Sequence, residues 1–163
     1  MDTEPGVVLI HPRHGAVTVR GVEQRVLQGT PTQMLVLESE QHRMRIHVPI
    51  TELENVGLRE VIGGDTLEQI RGVLAEDFIE EPTNWSRRFK SYEQKLSSGS
   101  IVGLAEVVRD LTRRSAERSI SAGEKRMLES SRTHLCSELA LVPEIGGGAE
   151  AQAYLDAAIR GEQ

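Results

Sequence analysis

The hydrophobic pattern of this chain changes its period near residue 51. Before that point, the stretches at residues 7–11 and 33–37 are short and largely apolar, and apolar and polar residues alternate loosely at 16–27 and clearly at 43–48. Such alternation indicates β-strands with one buried face. After it, apolar residues recur every three or four positions, as in amphipathic helices. The pattern predicts an α+β chain: a small Tudor/SH3-like β half-barrel at residues 1–52, a linker at 53–65 and an all-α helical bundle at 66–163.

The stretch at residues 43–48 has the clearest alternation. Its buried face is predicted to hold Met44, Ile46 and Val48. Its other face would hold Arg43, Arg45 and His47, with Arg25 nearby. A solvated outer face is the ordinary explanation for such residues. The functional alternative is a docking surface for an acidic patch on a protein partner, which strand addition could extend.

Capping and breaking residues divide the second half of the chain into helices. Residues 66–69 and 121–124 have the Ser/Thr-x-x-Glu/Gln pattern of a capping box. Asn84 and Ser100 are expected to begin two further helices, and a run of glycines at 146–148 precedes a last helix at 149–160. These signals predict four or five helices.

Several classes of protein are excluded by composition. The single cysteine, Cys136, permits no disulfide within the chain, and no apolar run approaches the length of about 20 residues that spans a bilayer. The five histidines are scattered, so no metal site and no cofactor are expected. No phosphate-binding loop or facing pair of nucleophile and base is found, which argues against an enzyme. A cytoplasmic protein without membrane attachment is expected.

Charge is distributed very unevenly. The net charge is −6 over the chain, yet residues 82–132 carry +5 between an acidic N-terminal stretch and an acidic C-terminal stretch. The candidate DNA-contacting cations of this block are Arg87, Arg88, Lys90, Arg113, Arg114, Arg118, Lys125 and Arg126. Such a block is typical of a surface that binds phosphates. A solvated face of ion-paired helices explains the charges equally well.

Trp85 is the only tryptophan, and it lies at the start of the basic block. Its spacing with Phe89, Tyr92 and Leu96 is helical, and such apolar stripes are usually buried. Its place in the first turn allows the other interpretation, an exposed wedge that separates two base pairs from the minor groove.

The residues around Trp85 closely resemble those of the CarD family of bacterial RNA-polymerase-binding transcription regulators, in its actinobacterial form. The resemblance rests on three runs and extends from about residue 6 to residue 142; the runs are Glu80-Glu81-Pro82-Thr83-Asn84-Trp85-Ser86-Arg87-Arg88-Phe89-Lys90, Ala105-Glu106-Val107-Val108-Arg109-Asp110-Leu111 and Ser121-Ala122-Gly123-Glu124-Lys125-Arg126-Met127-Leu128. His11-Pro12 through His14-Gly15 and Val48-Pro49 resemble the family's N-terminal module.

This resemblance implies that the first domain binds the RNA polymerase β subunit and that the second lies on promoter DNA. Trp85 would wedge into the minor groove at the upstream edge of the transcription bubble and stabilise the open complex. The phosphate backbone would be held largely without sequence preference by Arg87, Lys90, Arg114 and Lys125. The protein would act as a monomer associated with the nucleoid. The alternative is an adaptor on RNA polymerase that does not wedge DNA.

One departure from the family concerns the polymerase contact. Arg25 falls where the family has a β-contacting arginine, but His47 stands where the family has a second one. Histidine is mostly neutral at pH 7 and lacks the two-pronged guanidinium, so weaker polymerase binding is expected unless Arg45 substitutes. His11 also replaces a usual aromatic residue.

Overall fold

The computed structural model describes residues 1–39, 42–77 and 82–162. The chain separates into two compact units, a β unit at residues 1–61 and a helical unit at residues 62–163. The predicted α+β class is confirmed, because a sheet precedes a set of helices along the chain. Among the described residues, no helix combines the length and the apolar character that crossing a membrane requires.

The β unit is built on one antiparallel sheet in the order β4-β3-β2-β1-β5. Its strands are β1 (Val8–His11), β2 (Gly15–Leu27), β3 (Thr30–Ser39), β4 (Met44–Pro49) and β5 (Arg59–Glu60). A 3-10 turn (Ile50–Glu52) and a short helix α1 (Leu53–Val56) follow β4. Residues 53–65 were predicted to be a linker, but they contain α1 and also β5, which pairs with β1.

A tight turn and a bulge shape the long hairpin of β2 and β3. Leu27 pairs with Thr30, and the two residues between them, Gln28 and Gly29, both have positive φ. That combination matches the right-handed twist of the flanking strands. The register shifts between Val19 and Gly21, so one extra residue is accommodated in β2 and the strand bends there.

The pleat divides the sheet into a core face and an outer face. Leu35, Leu37 and Val48 lie in the core together with β1 and β2 side chains. Ile46 packs against this cluster as predicted, whereas Met44 is 41% exposed because it lies at the beginning of the edge strand. The side chains therefore alternate between the two faces along β4, but the first residue of the strand is not buried.

The helical unit contains α2 (Gly64–Ala75), α3 (Trp85–Ser97), α4 (Ile101–Glu117), α5 (Ala122–Leu139) and α6 (Gly148–Ile159). Asn84, Ser100 and Ser121 cap their helices through side-chain oxygens, as predicted. The capping box predicted at residues 66–69 is wrong. α2 begins three residues earlier, after the N-cap Gly63, whose carbonyl accepts from the Leu67 amide, so Thr66 lies inside the helix.

One apolar core joins α2, α4, α5 and α6, with Ile70, Leu135 and Leu155 among its fully buried side chains. A smaller cluster packs α3 on α4 through Tyr92, Val107 and Leu111. In the second and third turns of α3, the predicted stripe thus has Tyr92 buried and Phe89 and Leu96 half-buried.

A buried arginine fastens the end of α2 to α4. The Arg109 side chain is fully buried, and its guanidinium donates to the Val73 carbonyl at 2.9 Å, to Glu76 at 3.0 Å and to Asp110 at 2.8 Å. A charge can be buried in this way because carboxylates and a carbonyl replace water around it. Arg109 therefore has a structural role.

His11 is the last residue of β1 and precedes the turn to β2. Its Nδ1 accepts hydrogen bonds from the backbone amides of Arg13 and His14 at 3.1 and 3.3 Å. Burial lowers the pKa of His11, and the nearby charges of His14 and Arg13 lower it further. The neutral ring is thus the form that accepts these two hydrogen bonds. The imidazole therefore stabilises the turn from the position at which, by the resemblance described above, an aromatic residue is usual.

The β unit should lose stability as the pH falls below about 6.5, the usual value for histidine. Because the pKa of His11 is lowered on folding, its contribution is fully present above the unfolded value and is lost as pH falls towards the folded value. We expect the urea midpoint, followed by far-UV circular dichroism, to drop more between pH 7.5 and 5.5 in the wild type than in His11→Asn. Asparagine can accept from the same amides without titrating. Equal drops would contradict this assignment.

Candidate nucleic-acid and protein interfaces

The first turns of α3 and α5 lie side by side in the helical unit. Trp85 contacts Ser121, and one turn later Arg88 contacts Glu124. A Cβ at Gly123 would lie 3.5 Å from the Phe89 ring, so the glycine allows the two helices to approach closely. Since both helices start here, the partial positive charges of two N-termini are brought together.

Trp85 is fixed in place, yet a large part of it faces solvent. Its indole Nε1 donates to the Ser121 Oγ at 3.1 Å, and its ring stacks on Phe89 with centroids 5.1 Å apart. The side chain is still 46% exposed. One ring face is therefore packed as in the buried interpretation, while the remainder forms an apolar projection as in the wedge interpretation.

Ser121 performs two tasks at this contact. Its Oγ accepts from the Glu124 amide at 3.1 Å and thereby caps α5, and the same oxygen accepts from the indole. Sequence reasoning found the cap but not the contact with Trp85. A hydrogen bond across 36 residues has no local signal.

The structure separates the predicted DNA-contacting cations into exposed and buried groups. Arg113 and Arg114 are half-buried, and the exposed group consists of Arg87, Lys90, Arg118, Lys125 and Arg126. Arg118 and Lys125 also border a groove of about 620 Å³ between the end of α4 and the start of α5, with Ile120 and Leu128 among its lining. Glu80 and Glu81, the first residues of the motif around Trp85, lie outside the described residues.

Arg88 is a correction to the predicted DNA-contacting set. It is only 4% exposed, and its Nε and Nη2 lie 2.9 and 2.8 Å from the Glu124 Oε1. Helical spacing explains the difference from Arg87. Position 88 belongs to the inward side of α3 with Tyr92, whereas position 87 faces away. A basic residue in the sequence is not by itself a surface cation.

Glu124 is the acidic partner in this buried pair, at 1% exposure. Burial alone would raise the pKa of Glu124, but hydrogen bonds from the Ser121 backbone amide and from Arg88, with the attraction of the Arg88 charge, lower the pKa overall. Its carboxylate also closes the capping box at 2.9 Å from the Ser121 amide. The pair is therefore a structural connection between α3 and α5.

The exposed cations of α3 do not share a helix face with Trp85. Arg87 and Lys90 follow it by two and five residues, and a turn of about 100° per residue places both on the far side of the helix. Any surface that includes all three must curve around the beginning of α3.

The outer face of the β sheet brings together the predicted protein-binding residues. Arg25 on β2 and His47 on β4 both lie 3.4 Å from the Glu23 Oε2. Arg45 borders a hollow of about 460 Å³ on this face. Arg43, in contrast, lies in the turn before β4 with positive φ. The sequence suggested the cations but gave no indication of the carboxylate between them.

Within the described part of the chain, no group of three histidine, cysteine, aspartate or glutamate side chains is placed to hold a metal ion. Burial raises the pKa of the Cys136 thiol, which disfavours the reactive thiolate.

Two family models match this chain. The model for the CarD C-terminal domain matches residues 69–156, more than half of the chain, and the model for the CarD-like/TRCF RID domain matches residues 4–62. "Putative transcription factor YdeB" of Bacillus subtilis (strain 168) is 28% identical over 137 residues, which are 84% of this chain and 90% of that protein.

A solved structure that matches part of this chain is the solution NMR structure of the 72-residue N-terminal domain of Myxococcus xanthus CarD. It is 17% identical, and the match covers 36% of this chain and 79% of that domain with a TM-score of 0.32.

Proposed function

Because this chain belongs to the CarD family, we propose that it is a regulator that binds the RNA polymerase β subunit and stabilises the promoter open complex. Membership of the family makes the chain a transcription regulator and not an enzyme. The matched RID domain indicates RNA polymerase as a partner in general terms. The β subunit, the promoter DNA contact, a monomeric state and association with the nucleoid are parts of the proposal.

The observation on which the proposal rests is the half-exposed Trp85 at the junction of two helix N-termini. An apolar side chain that projects from a positively polarised surface suits the minor groove, where apolar wedges unstack a base step beside two phosphate backbones. The bond to Ser121 fixes the indole before it meets DNA, so less conformational entropy is lost on binding.

Exposed cations around this junction would hold the phosphates. Lys125 and Arg126 follow the cap of α5, and Arg87 lies in the first turn of α3. Contacts to phosphates carry no sequence information, so little base preference is expected. Tethering to polymerase raises the local concentration of this surface near the promoter, which offsets the repulsion expected from a net charge of −6.

The proposed polymerase contact is the outer face of the β sheet. Arg25, Arg45 and His47 would meet an acidic patch on the β subunit, and the edge strand β4 could extend a partner's sheet. His47 lacks the two-pronged guanidinium of an arginine, so it offers this contact fewer hydrogen bonds to a carboxylate.

One observation favours the alternative of an adaptor that does not wedge DNA. The Trp85 ring is stacked on Phe89 and bonded to Ser121, so part of the indole already has a structural role. Both candidates would bind polymerase less tightly as salt rises, because the proposed polymerase contact is itself charged. Only the phosphate-binding regulator would also lose part of its effect and of its salt slope when a cation beside Trp85 is removed.

The salt dependence of open-complex stabilisation tests the proposal. With purified RNA polymerase, we expect the protein to lengthen open-complex lifetime, and less so as salt rises. Lys125→Ala should weaken the effect and reduce the salt slope by about 0.9, the value for one phosphate contact. Lys95→Ala is the matched control, because Lys95 is paired with Glu106 near the other end of α3. A lifetime that the protein does not lengthen would refute the proposed function.

A further inference from the structure

The outer face of the β sheet contains its own counter-charges. We propose that Glu23 is an internal competitor that limits polymerase affinity, because its carboxylate occupies Arg25 and His47 before an acidic partner arrives. This inference rests on the proposed polymerase contact of that face.

Strand register places these residues on one side of the sheet. Glu23 pairs across β2 and β3 with Met34, and Arg25 pairs with Thr32. Val36 pairs with Gly21 on one side and with His47 on the other. Directly paired residues project from the same face, and residues two apart along a strand do so too.

The Glu23 carboxylate lies between the two groups that would meet a partner. The same oxygen, Oε2, is 3.4 Å from the Arg25 Nε and 3.4 Å from the His47 Nε2. A partner carboxylate that approaches Arg25 or His47 would come close to the Glu23 carboxylate, which already lies beside both residues. The two negative charges would repel each other. The partner must therefore displace Glu23 or accept like-charge repulsion, which lowers affinity.

A second carboxylate acts in the same way at the neighbouring position. The Arg20 Nε is 2.6 Å from the Glu38 Oε2. Both acids, together with Arg20 and Arg45, line the hollow above Val36 and Gly21. Gly21 leaves that hollow open, since nothing lies within 4 Å of a Cβ built there. A partner side chain thus has a place to enter, and acids border it.

Displacement of Glu23 is feasible because the contact is exposed. About half of the side-chain surface of both Glu23 and Arg25 is open to solvent. Exposed ion pairs of this kind are weak, so a partner carboxylate with better geometry can replace them. Glu23 would consequently reduce polymerase affinity without preventing binding.

The same geometry predicts what an arginine at position 47 would do. A guanidinium there would lie beside Glu23 and would be paired internally. His47→Arg alone should therefore gain little affinity, whereas His47→Arg combined with Glu23→Gln should gain more than the two single changes together. Such non-additivity is expected of residues that contact one another.

The experiment measures the affinity of fluorescently labelled full-length chains for purified RNA polymerase at fixed salt and pH 7.5. Glu23→Gln and Glu23→Ala should each bind roughly twofold to fivefold more tightly than the wild type, the range that an exposed pair supports. Glu54→Gln is the matched control: it makes the same charge change on the exposed surface of α1 and should leave the affinity unchanged.

Each result has a definite meaning. Wild-type affinity, or weaker binding, in both Glu23 variants would overturn the inference while the polymerase contact stands. An equal gain in Glu54→Gln would also overturn it, because a general charge effect would then explain the change. Failure of every chain to bind polymerase would refute the proposed polymerase contact itself, and the inference with it.

Discussion

Replacing Trp85 by alanine should shorten the lifetime of the open complex about tenfold while leaving the affinity for RNA polymerase unchanged. A wedge that contributes about 1.4 kcal/mol to the open state changes the opening equilibrium by that factor. Trp85 lies in the helical unit, and the proposed polymerase contact lies in the β unit, so the two activities should separate. The measurement is open-complex decay after addition of a competitor, with polymerase binding measured in parallel.

Phenylalanine provides the matched control at this position. Trp85→Phe keeps an aromatic ring that can stack on Phe89 but removes the Nε1 donor to Ser121. Because phenylalanine also serves as a wedge in minor-groove proteins, most of the lifetime should be retained. If Trp85→Ala stabilises open complexes as well as the wild type, the wedge is wrong and the adaptor alternative gains support.

Replacing Arg88 by methionine should destabilise the helical unit by about 3–5 kcal/mol, since it leaves the buried Glu124 carboxylate without its cation. That loss is a large share of the 5–15 kcal/mol that stabilises a typical domain. We expect a lower urea midpoint, followed by Trp85 fluorescence. Arg87→Met is the matched control: Arg87 is exposed one position away, and its loss should weaken DNA contact with little effect on the midpoint.

A double variant separates charge burial from helix capping. Glu124→Gln keeps a group that can accept from the Ser121 amide, because glutamine also completes a capping box. Arg88→Met with Glu124→Gln should therefore be more stable than Arg88→Met alone. A single variant as stable as the wild type would contradict the structural role of Arg88.

Acid should act on the same pair. The pKa of Glu124 is lowered from 4.5 on folding, so the contribution of the carboxylate is present above that value and is lost as pH falls through the lower folded value. The urea midpoint of the wild type should decline as the pH falls below that value, and a variant that carries Glu124→Gln should show a smaller decline.

Local signals explain why much of the fold could be predicted from the sequence. Asn84, Ser100 and Ser121 act as helix caps on amides only three residues away, so their effect is visible in the sequence itself. The alternation along β4 is local in the same sense. Thr66 shows the limit of this reasoning, because its pattern is as good as that of Ser121, yet α2 begins at Gly64.

The candidate sites could be predicted only in part, because they depend on contacts between distant residues. The sequence identified Trp85, the basic block and the cations of the β sheet. It did not distinguish the buried Arg88 from the exposed Arg87, and it gave no signal for Glu23 between Arg25 and His47. The net charge of a segment can be summed from its residues, but the exposure of a side chain and its ion-pair partner depend on the fold.

Periodicity, capping and charge are properties of neighbouring residues. The two kinds of secondary structure, most helix beginnings and the position of the basic block could therefore be predicted before the fold was known. Which side chains can meet a partner depends instead on how the helices and strands pack. Packing α3 against α5 buried Arg88 with Glu124 and left Trp85 half-exposed on Ser121. Sheet register brought His47 on β4 to Glu23, which already shares a face of β2 with Arg25. These outcomes depend on burial and on distances across tens of residues, which no local pattern encodes.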